Sequence, residues 1–356
     1  GFNERNFPNS YRGEVTIDGL KETFLSLKKM TGSGPDAWSN EMLNALVGDS
    51  FASNEAIKNM ETFLSQYCNG DCPDFVYLSM TCTNLVALAK EQLTDEQIMN
   101  GIVPDVRPLG VGNVVRRVAA IHQMRECRHA CAEHFAPIQL ALGVSDGSGI
   151  LINWLRETYM IHCDDGGDDP WVIIKIDLKN AFNMMSRTSF LAAIDNLPAG
   201  IRHLCKVLYA EYNCEGRTAS MGEFLEIIKR EGADQGDPRA MLAMCAVLQP
   251  HLQKLNDTLR DAHIDAGAKS YADDGYICAP ASIAYEALDN FANGARVDGC
   301  VISYNKCEEY CKAHEIGSIN LLDLPGRNPE IKIGEIDGFY GIICQGVPMG
   351  GHEFIK

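Results

Sequence analysis

Lys269-Ser-Tyr-Ala-Asp-Asp-Gly-Tyr-Ile277 reads as a strand, a tight turn and a second strand. Tyr271 and Tyr276 favour extended backbone, and Asp274-Gly275 is a strong two-residue hairpin signal. The reading places Asp273 and Asp274 side by side at the tip of the hairpin. Two carboxylates held that close repel, and one is driven toward its neutral form unless a cation lies between them. Two interpretations stand at this point. Asp and Gly are ordinary turn residues, so the stretch could be an exposed turn. It could also be half of a metal site, if the chain supplies further oxygen ligands.

Working outward, the next acid of interest is Asp177. It ends Trp171-Val-Ile-Ile-Lys-Ile-Asp177, a short, β-branched, apolar run of the kind that forms a buried strand. A strand ending in Asp presents an acid at the mouth of a site, or caps the following turn. Leu178-Lys-Asn-Ala-Phe-Asn183 leaves the strand, and Thr188 or Ser186 can cap a helix running to about Leu197. Residues 201–213 read as a helix, and residues 216–230 as a hairpin turning near Met221-Gly222. In Glu231-Gly-Ala-Asp-Gln-Gly-Asp-Pro238, Asp237 is an N-cap and Pro238 a first helical residue. That helix should run to about Leu259, with an interruption or bend near Pro250. Beside Gln235, the Gly236 backbone can approach a substrate closely. After the opening hairpin come a helix at 281–295, a strand or turn carrying Lys306, and short glycine-punctuated strands around 331–350.

The N-terminal half reads as mostly helical. Leu20, Phe24 and Leu27 mark one face of a helix within 14–30, and Ser39 caps a helix running to about Leu46. Residues 52–66 and 74–89 read as two further helices, and 91–105 as a polar connector. Val106-Arg-Pro-Leu-Gly-Val-Gly112 is extended, because Pro108 and two glycines oppose a helix. A long helix from Val114 to His134 carries Arg116, Arg117, Arg125 and Arg128, the most basic part of the chain and its best candidate contact for phosphates. Its His122, Cys127, His129, Cys131 and His134, like Cys307, Cys311 and His314, lack the spacing of structural zinc sites. The glycine-rich stretch 137–149 lacks the Gly-Lys-Ser/Thr of a nucleotide P-loop and precedes a helix at 149–162. The acidic linker Asp164-Asp-Gly-Gly-Asp-Asp169 is the expected subdomain boundary.

With 356 residues, 46% of them hydrophobic and 22% charged, the chain can bury a large core and form two or three subdomains. No apolar run approaches bilayer length, so no membrane insertion is expected. The chain opens Gly1-Phe-Asn-Glu-Arg5 without Met or a signal-peptide pattern, as a fragment or processed chain would. Its 14 cysteines form no Cys-x-x-Cys pair, which suits buried thiols in a reducing intracellular compartment better than a disulfide framework. Nucleus, cytoplasm and organelle all remain open. The net charge of −17 weighs against non-specific phosphate binding, although it leaves room for a local basic groove.

The order of these parts resembles a known family. Asp177-Leu-Lys-Asn-Ala-Phe182, Asp234-Gln-Gly-Asp-Pro238, Tyr271-Ala-Asp-Asp274, Asn305-Lys306 and Gly338-Phe-Tyr-Gly-Ile342 resemble, in sequence order, the palm of reverse transcriptases, RNA-directed DNA polymerases of the non-LTR retrotransposon and group II intron type. Leu88-Ala-Lys90 and Val106-Arg-Pro-Leu-Gly110 resemble that family's fingers, and the likeness covers about residues 30–350. It implies an α+β fold of polymerase right-hand architecture: an antiparallel palm sheet backed by helices, helical fingers, and a missing or truncated thumb. The implied division is an N-terminal extension and fingers over 1–165, a palm over 166–350 with finger-side helices and hairpin at about 198–230, and a tail or start of the missing thumb over 351–356.

The resemblance also implies a chemistry. A nucleotidyltransferase of this family uses Mg²⁺ or Mn²⁺, an RNA template, a DNA or RNA primer and dNTPs. Asp177 and Asp273 would bridge the metals, Asp274 would support them, and the Leu178 carbonyl would be a further ligand. Phe182 would exclude the ribose 2′-OH; a core aromatic is its plainer role, and an RNA polymerase would carry a polar residue there. Gln235 and Gly236 would position template and nucleotide, while Arg107 and Lys90 would grip the triphosphate. Lys306 would protonate pyrophosphate, or is simply a solvated lysine. The chain departs from the family in its short C-terminal part, its long 91–105 connector, and Arg239-Ala240 after the Gln-Gly-Asp-Pro segment. Those departures and the acidic charge raise a rival: a reverse-transcriptase-like module kept as a structural subunit of a ribonucleoprotein, without polymerase activity. Retention of Asp177, Asp273 and Asp274 together favours the enzyme.

Overall fold

The computed structural model describes residues 7–8, 11–29, 31–48, 50–90, 92–104, 106–163, 167, 169–213, 217–222 and 225–355. Gly1–Arg5 and most of the acidic linker 164–169 therefore lie outside the described residues. The chain is α+β and forms two units, one from Gly1–Cys127 with Leu191–Ala240, the other from Arg128–Phe190 with Met241–Lys356. The division falls at 127/128, 190/191 and 240/241 and not at the acidic linker. The physical reason is that the helix before the linker packs on strands that come after it.

The chain opens with α1 (Ile17–Ser26), α2 (Asn40–Ala45), α3 (Phe51–Cys68) and α4 (Asp74–Met80). Side-chain caps start three of them: Thr16 accepts from the Gly19 N–H, Ser39 from Met42 and Ser50 from Ser53. They bury Leu20, Phe24, Leu43, Ile57, Leu64, Tyr67 and Tyr77 in one apolar cluster. Then come β1 (Thr83–Ala89), α5 (Asp95–Met99), β2 (Val106–Gly112) and α6 (Val114–Glu126). Two expectations fail here. The predicted helix over 74–89 ends at Met80, and its second half is strand β1, so this half of the chain is not purely helical. Leu85-Val-Ala-Leu-Ala89 are acceptable helix formers, but antiparallel pairing with β2, from Thr83↔Gly112 to Ala89↔Val106, overrides local preference. The 91–105 connector likewise holds α5, closed by a capping box between Thr94 and Gln97.

The expected long helix over 114–134 is broken at Cys127 into α6 and α7 (Arg128–Phe135). After α7 come α8 (Gly147–His162), β3 (Trp171–Ile176), α9 (Ala181–Met184) and α10 (Arg187–Ile194). Ser186 is the cap of α10, its hydroxyl accepting from the Ser189 N–H at 3.2 Å. Next are α11 (Cys205–Tyr212), β4 (Thr218–Met221), β5 (Leu225–Ile228) and α12 (Ala240–Ala262), which continues through Pro250. β4 and β5 form the expected hairpin, and β4 adds parallel to β1, so the first unit carries a mixed sheet ordered β2-β1-β4-β5.

The chain closes with β6 (Gly267–Tyr271), β7 (Asp274–Pro280), α13 (Ala281–Arg296), β8 (Glu308–Tyr310), α14 (Lys312–Glu315), β9 (Lys332–Ile333), β10 (Glu335–Ile336), β11 (Phe339–Cys344), β12 (Val347–Gly350) and α15 (His352–Ile355). The second unit's main sheet is ordered β6-β7-β3-β8-β9, antiparallel except for β8 with β9. β3 lies at its centre, and α8 and α13 pack on it. Its Val172, Ile173 and Ile174 are wholly buried, as an apolar run without alternation requires. A small antiparallel sheet, β10-β11-β12, completes this unit. Among the described residues no helix is long and apolar enough to cross a membrane.

Candidate functional site

Antiparallel pairing of β3 with β7 brings the acids of the second unit to one end of its sheet. The ladder runs from Trp171↔Pro280 to Ile176↔Gly275, so Asp177, the next residue, flanks Asp274 at the start of β7. The turn between β6 and β7 is not Asp274-Gly275. It is Ala272-Asp273, closed by the pair Tyr271↔Asp274. Gly275 is needed elsewhere: a Cβ there would lie 3.3 Å from the Cβ of Ile176. Ala272 consequently takes the positive-φ position of the turn, at 58°, a conformation costing a residue with a Cβ about 1 kcal/mol. Asp273 is thus a turn residue and Asp274 a strand residue, and with Asp177 all three are half-buried. The charge of Asp273 reaches the core beneath it. Burial first, and that carboxylate second, push the Cys245 thiol far above its ordinary range.

Asp177 is fixed through its backbone. Its N–H donates to Cys307 Sγ at 3.4 Å, and its carbonyl accepts from the Ser303 N–H at 2.8 Å. Burial pushes the Cys307 thiol up to about 11, and the Asp177 charge adds to the shift while the Asp177 N–H opposes it. Leu178 forms an antiparallel bridge with Ile302 whose hydrogen bonds come from the flanking residues, Lys179 N–H to Val301 and Ser303 N–H to Asp177. The carbonyl of Leu178 therefore points away from residue 302. Ser303 also accepts from the Lys306 N–H at 2.8 Å, so the exposed Lys306 rides on a turn tied to Asp177. Phe182 is half-buried on α9, which Asn180 opens with a φ of 47°.

Among the described residues no cluster of three or more His, Cys, Asp and Glu side chains is arranged to hold a metal. Mg²⁺ does not need one, since it is commonly held by one or two carboxylates and completes its shell with waters and substrate phosphates. Asp177, Asp273 and the Leu178 carbonyl are all hard oxygen donors and fit that ion. Asp274 is already engaged: its Oδ2 accepts from the Gln345 Nε2 at 2.8 Å. Gln345 and Gly346 form the two-residue turn between β11 and β12, both at positive φ.

The other expected site residues, Lys90, Arg107, Gln235 and Gly236, belong to the first unit. Arg107 on β2 is paired with Leu88, and Lys90 follows the Ala89↔Val106 pair, so the two cations stand at the same end of the β1–β2 ladder, both exposed. Gln235 is half-buried and Gly236 is exposed with a φ of 109°. Gly236 lines a cavity of about 310 Å³ with Leu109, Gly110, Arg116, Arg117 and Asp237.

The basic helix differs most from expectation. Arg116 does not face solvent. It donates to Glu211 at 2.8 and 3.0 Å and also to Asp237. Arg239, wholly buried, donates to Glu211 and to Gln123. Arg125 pairs with Glu22, and Arg128 donates to the Gly143 carbonyl. Arg116 and the half-buried Arg117 both line the cavity, but Arg116 is held by two carboxylates, whereas Arg117 donates to the Asn40 amide oxygen. The unusual Arg239 after the Gln-Gly-Asp-Pro segment is explained by Glu211, whose charge it balances inside the core. Burial alone would raise the Asp237 carboxyl, but the guanidiniums of Arg116 and Arg239 overcome it and hold it at about 2. Asp234 is lowered in the same way by Arg217 and Lys229. Burial brings Lys229 down to about 8 although Asp234 pulls it upward.

Two residues of the site were not legible as such in the sequence. Gln345 sits in a glycine turn, and Gln139 lies in the glycine-rich stretch 137–149; each reaches the β6–β7 hairpin only through the tertiary fold. No family model matches the chain, and no curated protein matches it significantly.

Proposed function

We propose that this chain is an RNA-directed DNA polymerase that adds dNTPs to a primer 3′-OH on an RNA template. The observation that carries the reading is the meeting of Asp177, Asp273 and Asp274 at one end of a β3–β7 pair, from segments far apart in sequence. Mg²⁺ ions bound there would lower the pKa of the primer hydroxyl and neutralise charge on the leaving pyrophosphate. Asp177, Asp273 and the Leu178 carbonyl would hold them, and Asp274, oriented by Gln345, supports the arrangement electrostatically. Phe182, on the short helix that follows Asp177, acts as the gate against the ribose 2′-OH. Lys306, on the turn anchored to the Asp177 carbonyl, supplies a proton to pyrophosphate. Arg107 and Lys90 bind triphosphate oxygens, and Gln235 and Gly236 position template and nucleotide. In this reading the two units serve as fingers and palm of a right-hand polymerase.

The test is primer extension on an RNA template with dNTPs and Mg²⁺ or Mn²⁺, using the whole chain. Asp273→Ala removes a metal ligand worth several kcal/mol, so incorporation should fall by about 10³-fold or more. Undiminished incorporation by Asp273→Ala overturns the assignment. A wild-type chain that neither incorporates dNTPs nor binds them in a metal-dependent way overturns the enzyme. The net charge of −17 favours the second reading in that event, a polymerase-like module serving as a structural subunit of a ribonucleoprotein.

A further inference from the structure

We infer that Gln139 is a positioning residue that clamps the Ala272-Asp273 turn and so sets where the Asp273 carboxylate stands. The inference deepens the polymerase reading and rests on it. The side chain of Gln139 is wholly buried. Its Oε1 accepts from the Ala272 N–H at 2.9 Å and from the Ala141 N–H at 3.0 Å. Its Nε2 donates to the Ala272 carbonyl at 2.9 Å and to Ser270 Oγ at 2.9 Å. A carboxamide has two donors and an oxygen with two lone pairs, and all are used. The network also settles which end of the amide is which: reversed, it would set N–H against the N–H groups of Ala272 and Ala141.

The backbone around Gln139 reinforces the contact. The Leu140 N–H donates to the Ser270 carbonyl at 2.9 Å, and the Ser270 N–H donates to the Ile138 carbonyl at 2.8 Å. Residues 138–140 thus lie parallel against the outer edge of β6. This seat is what lets one side chain bond both backbone groups of Ala272. The clamp acts where the turn is least comfortable. Ala272 holds a positive φ without being glycine, and both of its peptide groups are fixed by Gln139. The peptide that follows Ala272 carries Asp273. Released, that peptide can rotate, and a carboxylate displaced by 1 Å can cost about 10²-fold in rate. Asp274 is held separately, by Gln345, so the two acids are positioned by different glutamines from different segments.

The experiment compares the whole chain with Gln139→Met, which keeps the length of the side chain and removes its four hydrogen bonds, and with Gln139→Glu. For Gln139→Met the expected result is a kcat lower by about 10²-fold, a KM for dNTP within about twofold of wild type, and a several-fold higher Mg²⁺ concentration for half-maximal rate. Gln139→Glu keeps an acceptor for the Ala272 N–H and, while protonated, a donor for its carbonyl. Burial favours the protonated form. Its rate relative to wild type should therefore fall as pH is raised from about 6 to about 9. Mn²⁺ titration followed by electron paramagnetic resonance, without nucleotide, is the independent readout. Gln139→Met should weaken the Mn²⁺ affinity that Asp273→Ala abolishes. Unchanged Mg²⁺ dependence and unchanged Mn²⁺ affinity in a folded Gln139→Met overturn the clamp. If Gln139→Met does not fold, a pH profile of Gln139→Glu parallel to wild type overturns it instead. An inactive wild type defeats the polymerase reading, and the clamp is then decided by Mn²⁺ affinity alone, standing if Gln139→Met weakens it and falling if it does not.

Discussion

Glu211→Gln should be the most damaging single-atom change in the first unit. Glu211 is wholly buried and accepts from Arg116 Nε and Nη2, from Arg239 Nη2 and from the Tyr67 hydroxyl. Beside it stand the cations of Arg116 and Arg239 and the carboxylate of Asp237, and next to these Arg217 and Lys229 pair with Asp234. With Glu211 neutralised, the buried guanidiniums of Arg116 and Arg239 are left with the Asp237 carboxylate alone. Arg239 keeps Asp237 only at 3.9 Å, and the new amide presents N–H groups to guanidinium N–H groups. Breaking a buried pair from one side costs about 3–5 kcal/mol. That is a large part of the roughly 5–15 kcal/mol of a whole domain. Because the chain forms two units, a single melting curve is a poor measure. Hydrogen exchange of peptides from α6 and α11, followed against urea, reads the opening of this unit alone. We expect the opening free energy there to fall by about 4 kcal/mol, with peptides of β3 and β7 little changed. Arg239→Met and the double variant complete a cycle whose coupling should lie near 1–3 kcal/mol. A loss below about 1 kcal/mol for Glu211→Gln would refute the reasoning, because it would mean that the cluster is hydrated and its charges are already screened.

The same cluster sets the acid limb of stability. Asp237 is held at about 2 in the folded chain against an ordinary 3.8, so its contribution is fully present above about pH 4 and is lost as pH falls through about 2. The shift corresponds to about 2 kcal/mol, and Glu211 and Asp234, also lowered, act in the same direction. The opening free energy read from peptides of α6 and α11, measured from about pH 7 to about pH 2, should decline over that window and decline less in Asp237→Asn. Phe182→Ala should relax the preference for dNTP over rNTP by about 10- to 100-fold in kcat/KM, the scale of one missing steric contact. Unchanged sugar selectivity would return Phe182 to the role of a packing residue.

Some of this was legible locally. Trp171–Ile176 is an apolar, β-branched run, and such a run has few homes other than the centre of a sheet. Ser39 and Ser186 carry their cap signal within three residues, and the β4–β5 hairpin turns beyond Met221, which pairs with Leu225. The acids also announced themselves, because two adjacent Asp residues in a turn need an external reason to sit together. Other features depended on partners too distant for any local pattern to report. β1 is built from helix-compatible residues and is a strand only because β2 and β4 pair with it. The basic helix looked like a phosphate-binding face, yet Arg116 turns inward to Glu211, 95 positions away.

The sequence alone determined that Asp177, Asp273 and Asp274 end strands or occupy a turn, since alternation, β-branching and turn chemistry act over a few residues. Only the tertiary structure decided that they meet, that the turn is Ala272-Asp273, and that Gln139, 133 positions before Ala272, fixes it. Hydrogen bonds and ion pairs are short-range in space but indifferent to separation along the chain. A buried glutamine or arginine therefore takes its role from whatever the fold sets beside it.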